Sequence, residues 1–162
     1  MEFELSRGML IPYILSNVFA VFALWLSFRR PGMSKGLLGI LFVGAAVFNI
    51  YTAFTNPSAY VTFADTAFVP LYKVFILGFF ANHPAIIVTL ISIGQLYVGL
   101  SMMYVDWRFR SGCIGGTIFA LAIAPLGIGS AFPSSLVLSL SFLVLLFVTK
   151  KDGKLNKAIT GN

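Results

Sequence analysis

The stretch "NPSAYVTFADTAFVPLYKVFI", Asn56 to Ile76, separates two long hydrophobic runs and decides the topology of the chain. It is rich in apolar residues, but it also carries Asp65 and Lys73. As a membrane span it would bring both charges into the hydrocarbon, at a cost of a few kcal/mol each. It would also place the basic segments of the chain on opposite sides of the membrane. The sequence therefore predicts an interfacial segment at 57–82 instead of a span.

The rest of the chain is dominated by apolar runs of membrane-spanning length. Of its 162 residues, 59% are hydrophobic and 10% are charged, whereas soluble proteins carry about 25% charged residues. A span needs about 20 apolar residues, and five runs meet or approach that length: 9–28, 36–55, 84–105, 111–129 and 133–149. The turn-forming "GIGSAFPSS" divides the last two into a helical hairpin. The sequence predicts one all-α polytopic membrane helix bundle, with the first run retained as a span.

Basic residues predict the orientation of this bundle. Nine of the eleven Lys and Arg residues fall in two loops and the C-terminal tail. They are Arg29, Arg30, Lys35, Arg108, Arg110, Lys150, Lys151, Lys154 and Lys157. Five spans bring all three segments to one side, and Lys and Arg accumulate on the cytoplasmic side. We therefore expect the N-terminus outside and the C-terminus inside, in the cytoplasmic membrane of a prokaryote.

The interfacial segment has the periodicity of an amphipathic helix. Its apolar residues recur at helical spacing; they are Tyr60, Phe63, Ala64, Ala67, Phe68, Leu71 and Phe75. Asn56 and Pro57 suit a helix start with a capping side chain, and Pro70 is expected to break or kink the helix. The segment should lie in the outer interface or fold back into the mouth of the bundle. It could serve as an anchor or contribute to a site.

Polar residues in the predicted spans form short stripes. The stripes are Asn49, Thr52 and Asn56 in the second span and Thr89, Ser92, Gln95 and Gly99 in the third. Lipid offers no hydrogen bonds to such groups, so they should face inward. They could form interhelical hydrogen bonds or line a cavity. A small-residue ridge in the fourth span, Gly112, Gly116, Ala120 and Ala124, predicts close packing against another helix.

Several classes of chemistry lack their residues. His83 is the sole histidine and Cys113 the sole cysteine, which excludes a disulfide within the chain and disfavours multi-histidine or thiolate metal sites. No phosphate-binding loop or hydrolase elbow occurs. We predict no metal and no covalently bound cofactor. The basic inner surface suits anionic lipid headgroups, and nucleic acid is not an expected partner.

Two further stretches carry a resemblance to a known family. "GLLGILFVGAAVFNIYTAFTNPSAY" and "IGQLYVGLSMM", followed by the apolar hairpin, resemble the DoxX/DoxD-like small four-helix membrane proteins over about Gly36 to Lys150. The resemblance implies a four-helix core, to which the first span is an addition. Members of that family are associated with membrane oxidoreductases, including thiosulfate:quinone oxidoreductase.

Three functions remain open on the sequence. The first is a noncatalytic accessory subunit of a larger membrane complex, in which other membrane subunits are partners beside the lipid. The second is a redox subunit that contributes to a quinone or oxyanion site, and the third is a transporter of small solutes or lipids. The residues that could bind a ligand are Asp65, Lys73, His83, Gln95 and Asn49.

Overall fold

The computed structural model describes residues 7–128 and 132–160, and within them the chain is helical with no strand. The long helices are α1 (Arg7–Arg29), α2 (Pro31–Thr55), α5 (Pro84–Ser101), α6 (Trp107–Ile123) and α7 (Ser134–Thr160). Between α2 and α5 lie a 3-10 helix (Pro57–Thr62), α3 (Phe63–Thr66), α4 (Pro70–Phe75) and a π-helical turn (Ile76–Phe80). A 3-10 turn, Ala124–Leu126, follows α6. The predicted all-α polytopic helix bundle is confirmed.

Four helices are long and apolar enough to cross a membrane, at Leu10–Arg29, Pro31–Thr55, Pro84–Ser101 and Trp107–Leu126. The fifth predicted span lies in α7, whose apolar part, Ser134–Thr149, is shorter. Predicted and observed boundaries differ most at α7, which continues to Thr160. Helix α2 begins five residues before the predicted span, directly after Arg30. Pro31 occupies the first helical turn, where its missing N–H costs nothing. The predicted end of the fourth span, Gly129, lies outside the described residues.

The five long helices form a closed ring in the order α1, α2, α5, α6, α7 and back to α1. The α2–α5 pair is the most extensive contact, and it is close because Gly39 and Gly99 face each other. A Cβ atom at Gly99 would lie 2.9 Å from the Gly39 carbonyl oxygen. At α6, a Cβ atom at Gly116 would lie 2.6 Å from the Phe142 ring of α7. Within the predicted ridge, Gly116 thus packs against α7, whereas Gly112 lies against Ser101 and Met102 at the end of α5, and all four members are buried.

One end of this ring is basic, and we call it the basic end. Lys35, near the start of α2, donates from Nζ to the Tyr104 carbonyl oxygen at 2.6 Å, and its ammonium lies 4.2 Å from the centre of the Phe109 ring. Arg108 pairs with Asp106 at 2.9 Å just before α6. The two basic loops therefore lie together, as predicted. The side chains of Lys150, Lys151, Lys154 and Lys157 lie outside the described part of the chain.

The opposite end is covered by residues 57–80, which we call the cap. Three hydrogen bonds hold the cap on the end of α6 and on the connection that follows it. Thr66 Oγ1 donates to the Leu126 carbonyl at 2.7 Å, and Phe68 N donates to the Pro125 carbonyl at 3.0 Å. Tyr72 OH donates to the Ala122 carbonyl, in the last turn of α6, at 2.7 Å. At Gly127, where φ is +96°, a Cβ atom would collide with the Thr66 carbonyl oxygen. Glycine thus permits both the turn and the approach of the cap.

The cap is not the amphipathic helix that its periodicity predicts. Pro70 does break the helix, as expected: Ala67 and Val69 are extended, and α4 starts at Pro70. The break leaves Phe68 and Leu71 on the outer surface of the cap, with exposed fractions of 50% and 72%. Asn56 does not cap the helix with its side chain, which instead accepts a hydrogen bond from Ser58 Oγ at 3.1 Å.

Two apolar clusters make up the core. One lies toward the basic end and includes Leu38, Phe42, Phe109, Phe142 and Leu145. The other joins the cap to the ends of α2 and α5 and includes Ala53, Ala64, Ile76, Phe80 and Val88. The space between the two clusters is not filled by side chains.

Candidate functional site

A cavity of about 560 Å³ occupies the space between the two clusters. Its walls come from α2, α5, α6, α7 and the cap, whereas α1 contributes no lining residue. The cavity is partly open to the surface, and two of its lining residues, Phe48 and Phe75, have exposed fractions of 66% and 44%. Ligand sites in proteins are typically apolar clefts of about 300–1,000 Å³ with a few placed polar groups. This cavity has the size and composition of such a site.

The polar groups of the cavity are few and uncharged. They are Asn49, Tyr60, Tyr72, Gln95 and Ser135, set among aliphatic and phenyl side chains. Because none of the described residues that line the cavity is Asp, Glu, Lys, Arg or His, a charged ligand would find no counter-ion among them, and desolvating its charge would be costly. The lining therefore favours a neutral ligand.

Three of these groups form one hydrogen-bonded chain. Asn49 Nδ2 donates to Gln95 Oε1 at 2.8 Å, and Tyr60 OH donates to Asn49 Oδ1 at 2.8 Å. The chain links α2 to α5 and both to the cap. Asn49 and Gln95 are thus brought together, as members of facing polar stripes should be. Gln95 is 5% exposed and its Nε2 group is not part of the bond to Asn49.

The sequence explains the placement of this chain. Asn49 lies six residues before the end of α2, which puts it about 9 Å inside the cap end at 1.5 Å per residue. Tyr60 lies in the 3-10 helix that follows, so its side chain can reach back to Asn49. Burial raises the pKa of the Tyr60 phenol, and the neighbouring Thr52 hydroxyl offsets part of that rise. Tyr60 therefore stays a neutral donor at physiological pH.

The fifth polar group, Ser135, has unusual surroundings. Its side chain is 2% exposed, and its Oγ finds no hydrogen-bond partner among the residues that the structure describes. Buried polar groups in proteins are nearly always hydrogen-bonded, so an exception calls for an explanation. Ser135 is a lining residue of the cavity, but its Oγ has almost no accessible surface.

The other three residues predicted to bind a ligand lie away from the cavity. Asp65 and Lys73 are exposed on the cap, and in the described part of the chain neither forms an ion pair. His83 is also exposed; its ring meets the edge of Phe79 at 5.5 Å between centroids, and it precedes α5 without a side-chain cap. The structure brings Asn49 and Gln95 together and leaves Asp65, Lys73 and His83 outside.

Sequence reasoning missed three polar residues of the cavity. Tyr60 was assigned only to the apolar face of the cap, and neither Tyr72 nor Ser135 was among the residues predicted to bind a ligand. Tyr60 did carry a signal, because it falls on the apolar face of the cap, where a phenol must find a partner when buried. Ser135 carried none, because its surroundings depend on how α7 packs against α6.

Metal binding finds no support in the geometry. Among the described residues, no group of three or more His, Cys, Asp or Glu side chains could hold an ion. Cys113 is buried, in the cluster near the basic end.

Comparison of the chain with family models, with curated proteins and with solved structures gives no match. The class of protein is defined by the fold alone: the chain is an integral membrane helix bundle that would contact lipid. Its function has to be inferred from the cavity.

Proposed function

We propose that this protein binds a neutral, lipid-soluble amphiphile in the cavity beneath the cap. The observation that carries the proposal is the apolar cavity of about 560 Å³ with the Tyr60–Asn49–Gln95 chain on its wall. The apolar lining suits a hydrocarbon part, and the amide and hydroxyl groups suit a small polar head. The partly open side offers an entry to a molecule dissolved in the bilayer.

A membrane quinone is one ligand that fits these requirements. Its ring is neutral and flat, its oxygens accept hydrogen bonds, and its tail is apolar. The resemblance to the DoxX/DoxD-like family agrees with this choice. Gln95, whose Nε2 group is not used in the bond to Asn49, is the residue that would donate to such a ring. The cavity holds no charged acid or base, so we propose binding by this chain and assign the redox chemistry to a partner subunit.

The other two functions have weaker support. A transporter needs a continuous path, but the cavity ends at the packed cluster of Leu38, Phe42, Phe109 and Phe142 toward the basic end. A purely structural subunit would not need a cavity of this size, because close packing normally fills the interior of a protein. The exposed Asp65, Lys73 and His83 offer a polar surface for a neighbouring subunit.

A cavity-filling variant tests the proposal. Ala45 lines the cavity, whereas Val47 on the same helix is 62% exposed and faces away from it. The protein is purified in mild detergent, extracted with organic solvent, and the extract is analysed by mass spectrometry. We expect a stoichiometric neutral amphiphile with the parent and with Val47→Phe, and its loss with Ala45→Phe. Equal recovery from both variants, or none from the parent, would contradict the proposal.

A further inference from the structure

The polar groups of the cavity wall bond mostly to one another or to the backbone. Asn49 uses both ends of its amide, since Nδ2 donates to Gln95 and Oδ1 accepts from Tyr60. Tyr72 OH donates to a backbone carbonyl of α6 at 2.7 Å. The Ser135 hydroxyl has almost no accessible surface, so a ligand cannot reach it. None of these four residues has a donor left for a molecule in the cavity.

The Nε2 group of Gln95 is different. The Oε1 atom of the same amide accepts from Asn49, and Nε2 has no partner among the described residues. Ser135 Oγ is the one described polar atom that is both sealed from the surface and without a partner, so Gln95 Nε2 keeps some accessible surface. Gln95 is 5% exposed and lines the cavity. Its Nε2 group is therefore a donor that a ligand can reach.

The acceptors of the cavity wall have no such vacancy. Apart from the sealed Ser135 hydroxyl, the side-chain oxygens of the described wall already take part in the hydrogen bonds given above. Backbone carbonyls within the helices accept from N–H groups one turn further along. An incoming O–H group would have to share an oxygen that is already bonded. Among the described residues, the cavity thus offers a free donor and no free acceptor.

This asymmetry distinguishes carbonyl from hydroxyl head groups. A carbonyl oxygen accepts a hydrogen bond and brings no donor of its own into the cavity. A hydroxyl group also brings an O–H, and burying a donor without an acceptor is costly. A quinone and its hydroquinone, the two-electron reduced form, have nearly the same size and shape and differ in this respect.

We infer that the cavity selects a head group that accepts hydrogen bonds without donating them, and that it binds a quinone more tightly than the corresponding hydroquinone. Gln95 is the specificity-determining residue, because its Nε2 group donates to the carbonyl oxygen. The inference rests on the proposed function and adds the chemical form of the ligand that the site prefers.

A matched pair of probes tests the preference. Decyl-para-benzoquinone and its hydroquinone carry the same chain on the same ring. Binding of each is measured without oxygen in lipid nanodiscs, and empty nanodiscs correct for partitioning into lipid. The proteins are the parent, Gln95→Met and the control Thr89→Val. Thr89 lies on the same helix, donates to the Ala85 carbonyl at 2.7 Å and does not line the cavity.

We expect the parent to bind the quinone about tenfold more tightly than the hydroquinone, equivalent to about 1.4 kcal/mol at 25 °C. Gln95→Met should weaken quinone binding about tenfold and affect the hydroquinone less, because it removes the free donor. The preference should then disappear. Thr89→Val should keep both affinities.

A second variant separates a lost donor from a damaged cavity. Tyr60→Phe removes the phenol that donates to Asn49 and so frees Asn49 Oδ1 as an acceptor on the cavity wall. We expect this variant to bind the hydroquinone more tightly relative to the quinone than the parent does. A cavity that was merely damaged would lose affinity for both forms alike.

Three results would overturn the inference while leaving the proposed function intact. The first is equal binding of the two forms by the parent, and the second is a preference that survives in Gln95→Met. The third is tighter binding of the hydroquinone by the parent, which would require the amides of Asn49 and Gln95 to be turned over, with Gln95 Oε1 facing the ligand. Failure of the parent to bind either form would contradict the proposed quinone ligand itself.

Discussion

Asn49 uses both ends of its amide, donating to Gln95 and accepting from Tyr60. A single side chain thereby joins α2, α5 and the cap around the cavity. In lipid such interhelical hydrogen bonds stabilise a helix bundle by about 1 kcal/mol or less each. Here they also fix the orientation of the side-chain amides. Held by Asn49, the Gln95 amide presents Nε2 in a fixed direction.

Replacing Gln95 with Met keeps the length of the side chain and removes the bond to Asn49. We expect Gln95→Met to lower the free energy of unfolding by about 1–2 kcal/mol, because the partly buried Asn49 amide loses its acceptor. Chemical denaturation in detergent micelles measures the change. The double variant Asn49→Leu/Gln95→Met should lose less than the sum of the two single variants. Strict additivity would show that the two amides are not coupled.

At the level of single residues, the sequence correctly predicted that polar side chains of two neighbouring spans face the interior. Asn49 and Gln95 were placed on interior stripes of neighbouring spans, and the structure brings them together. Thr52, Thr89 and Ser92 each donate to a carbonyl of their own helix, so the interhelical bond that was one possibility for the stripes is made by Asn49 and Gln95. A short hydroxyl side chain reaches its own backbone before it reaches a neighbour, and sequence spacing cannot distinguish the two outcomes.

At the scale of the helix, glycine determines which pairs approach closely. The ridge of Gly112 and Gly116 in α6 was predicted from its four-residue spacing and is buried in the bundle. The Gly39–Gly99 contact between α2 and α5 was not predicted, because Gly99 was grouped with the polar stripe. Two isolated glycines on different helices carry no repeat that a single sequence could show.

A pair of glycines on α5 provides a matched test of this contact. A Cβ atom at Gly99 would lie 2.9 Å from the Gly39 carbonyl oxygen, whereas one at Gly94 would meet no atom within 4 Å. We expect Gly99→Ala to destabilise the bundle by about 1–3 kcal/mol, as overpacking against an immobile backbone does. Gly94→Ala should be neutral or stabilise by up to about 1 kcal/mol through helix propensity. Thermal unfolding in detergent measures both, and equal melting temperatures would contradict the assigned contact.

The cap shows where periodicity fails as a predictor. Its apolar spacing favoured a helix around residues 60–75, but the chain at Ala67–Val69 is extended, and Phe68 N donates to the Pro125 carbonyl instead of to a carbonyl in its own helix. Pro70 gave the sequence signal for the break. Pro125, which accepts the hydrogen bond from Phe68 N, lies more than fifty residues away in the chain. A local sequence pattern therefore cannot reveal this bond.

For the whole molecule, composition and run length were sufficient to predict a helical membrane protein, and the described helices agree. The grouping of the two basic loops at one end also followed from counting spans, and the bond from Lys35 to the Tyr104 carbonyl supports it. The orientation of that end toward the cytoplasm stays a prediction of the positive-inside rule. The sequence left open that the stripes of Asn49 and Gln95 line a cavity, and both residues do line one. Its size and its other walls could not be predicted, because an unfilled space depends on the packing of four helices and the cap together.

The central claim is that a neutral amphiphile occupies this cavity, and saturable photolabelling tests it most directly. A diazirine-bearing decyl-para-benzoquinone is irradiated with the protein in nanodiscs, with and without excess unlabelled quinone, and labelled residues are located by mass spectrometry. We predict that excess unlabelled quinone lowers the labelling of cavity residues such as Ile87, Ile91 and Phe119. Labelling of the lipid-facing residues Ile40 and Val47 should not change. Label confined to lipid-facing residues, or unaffected by competition, would contradict the account.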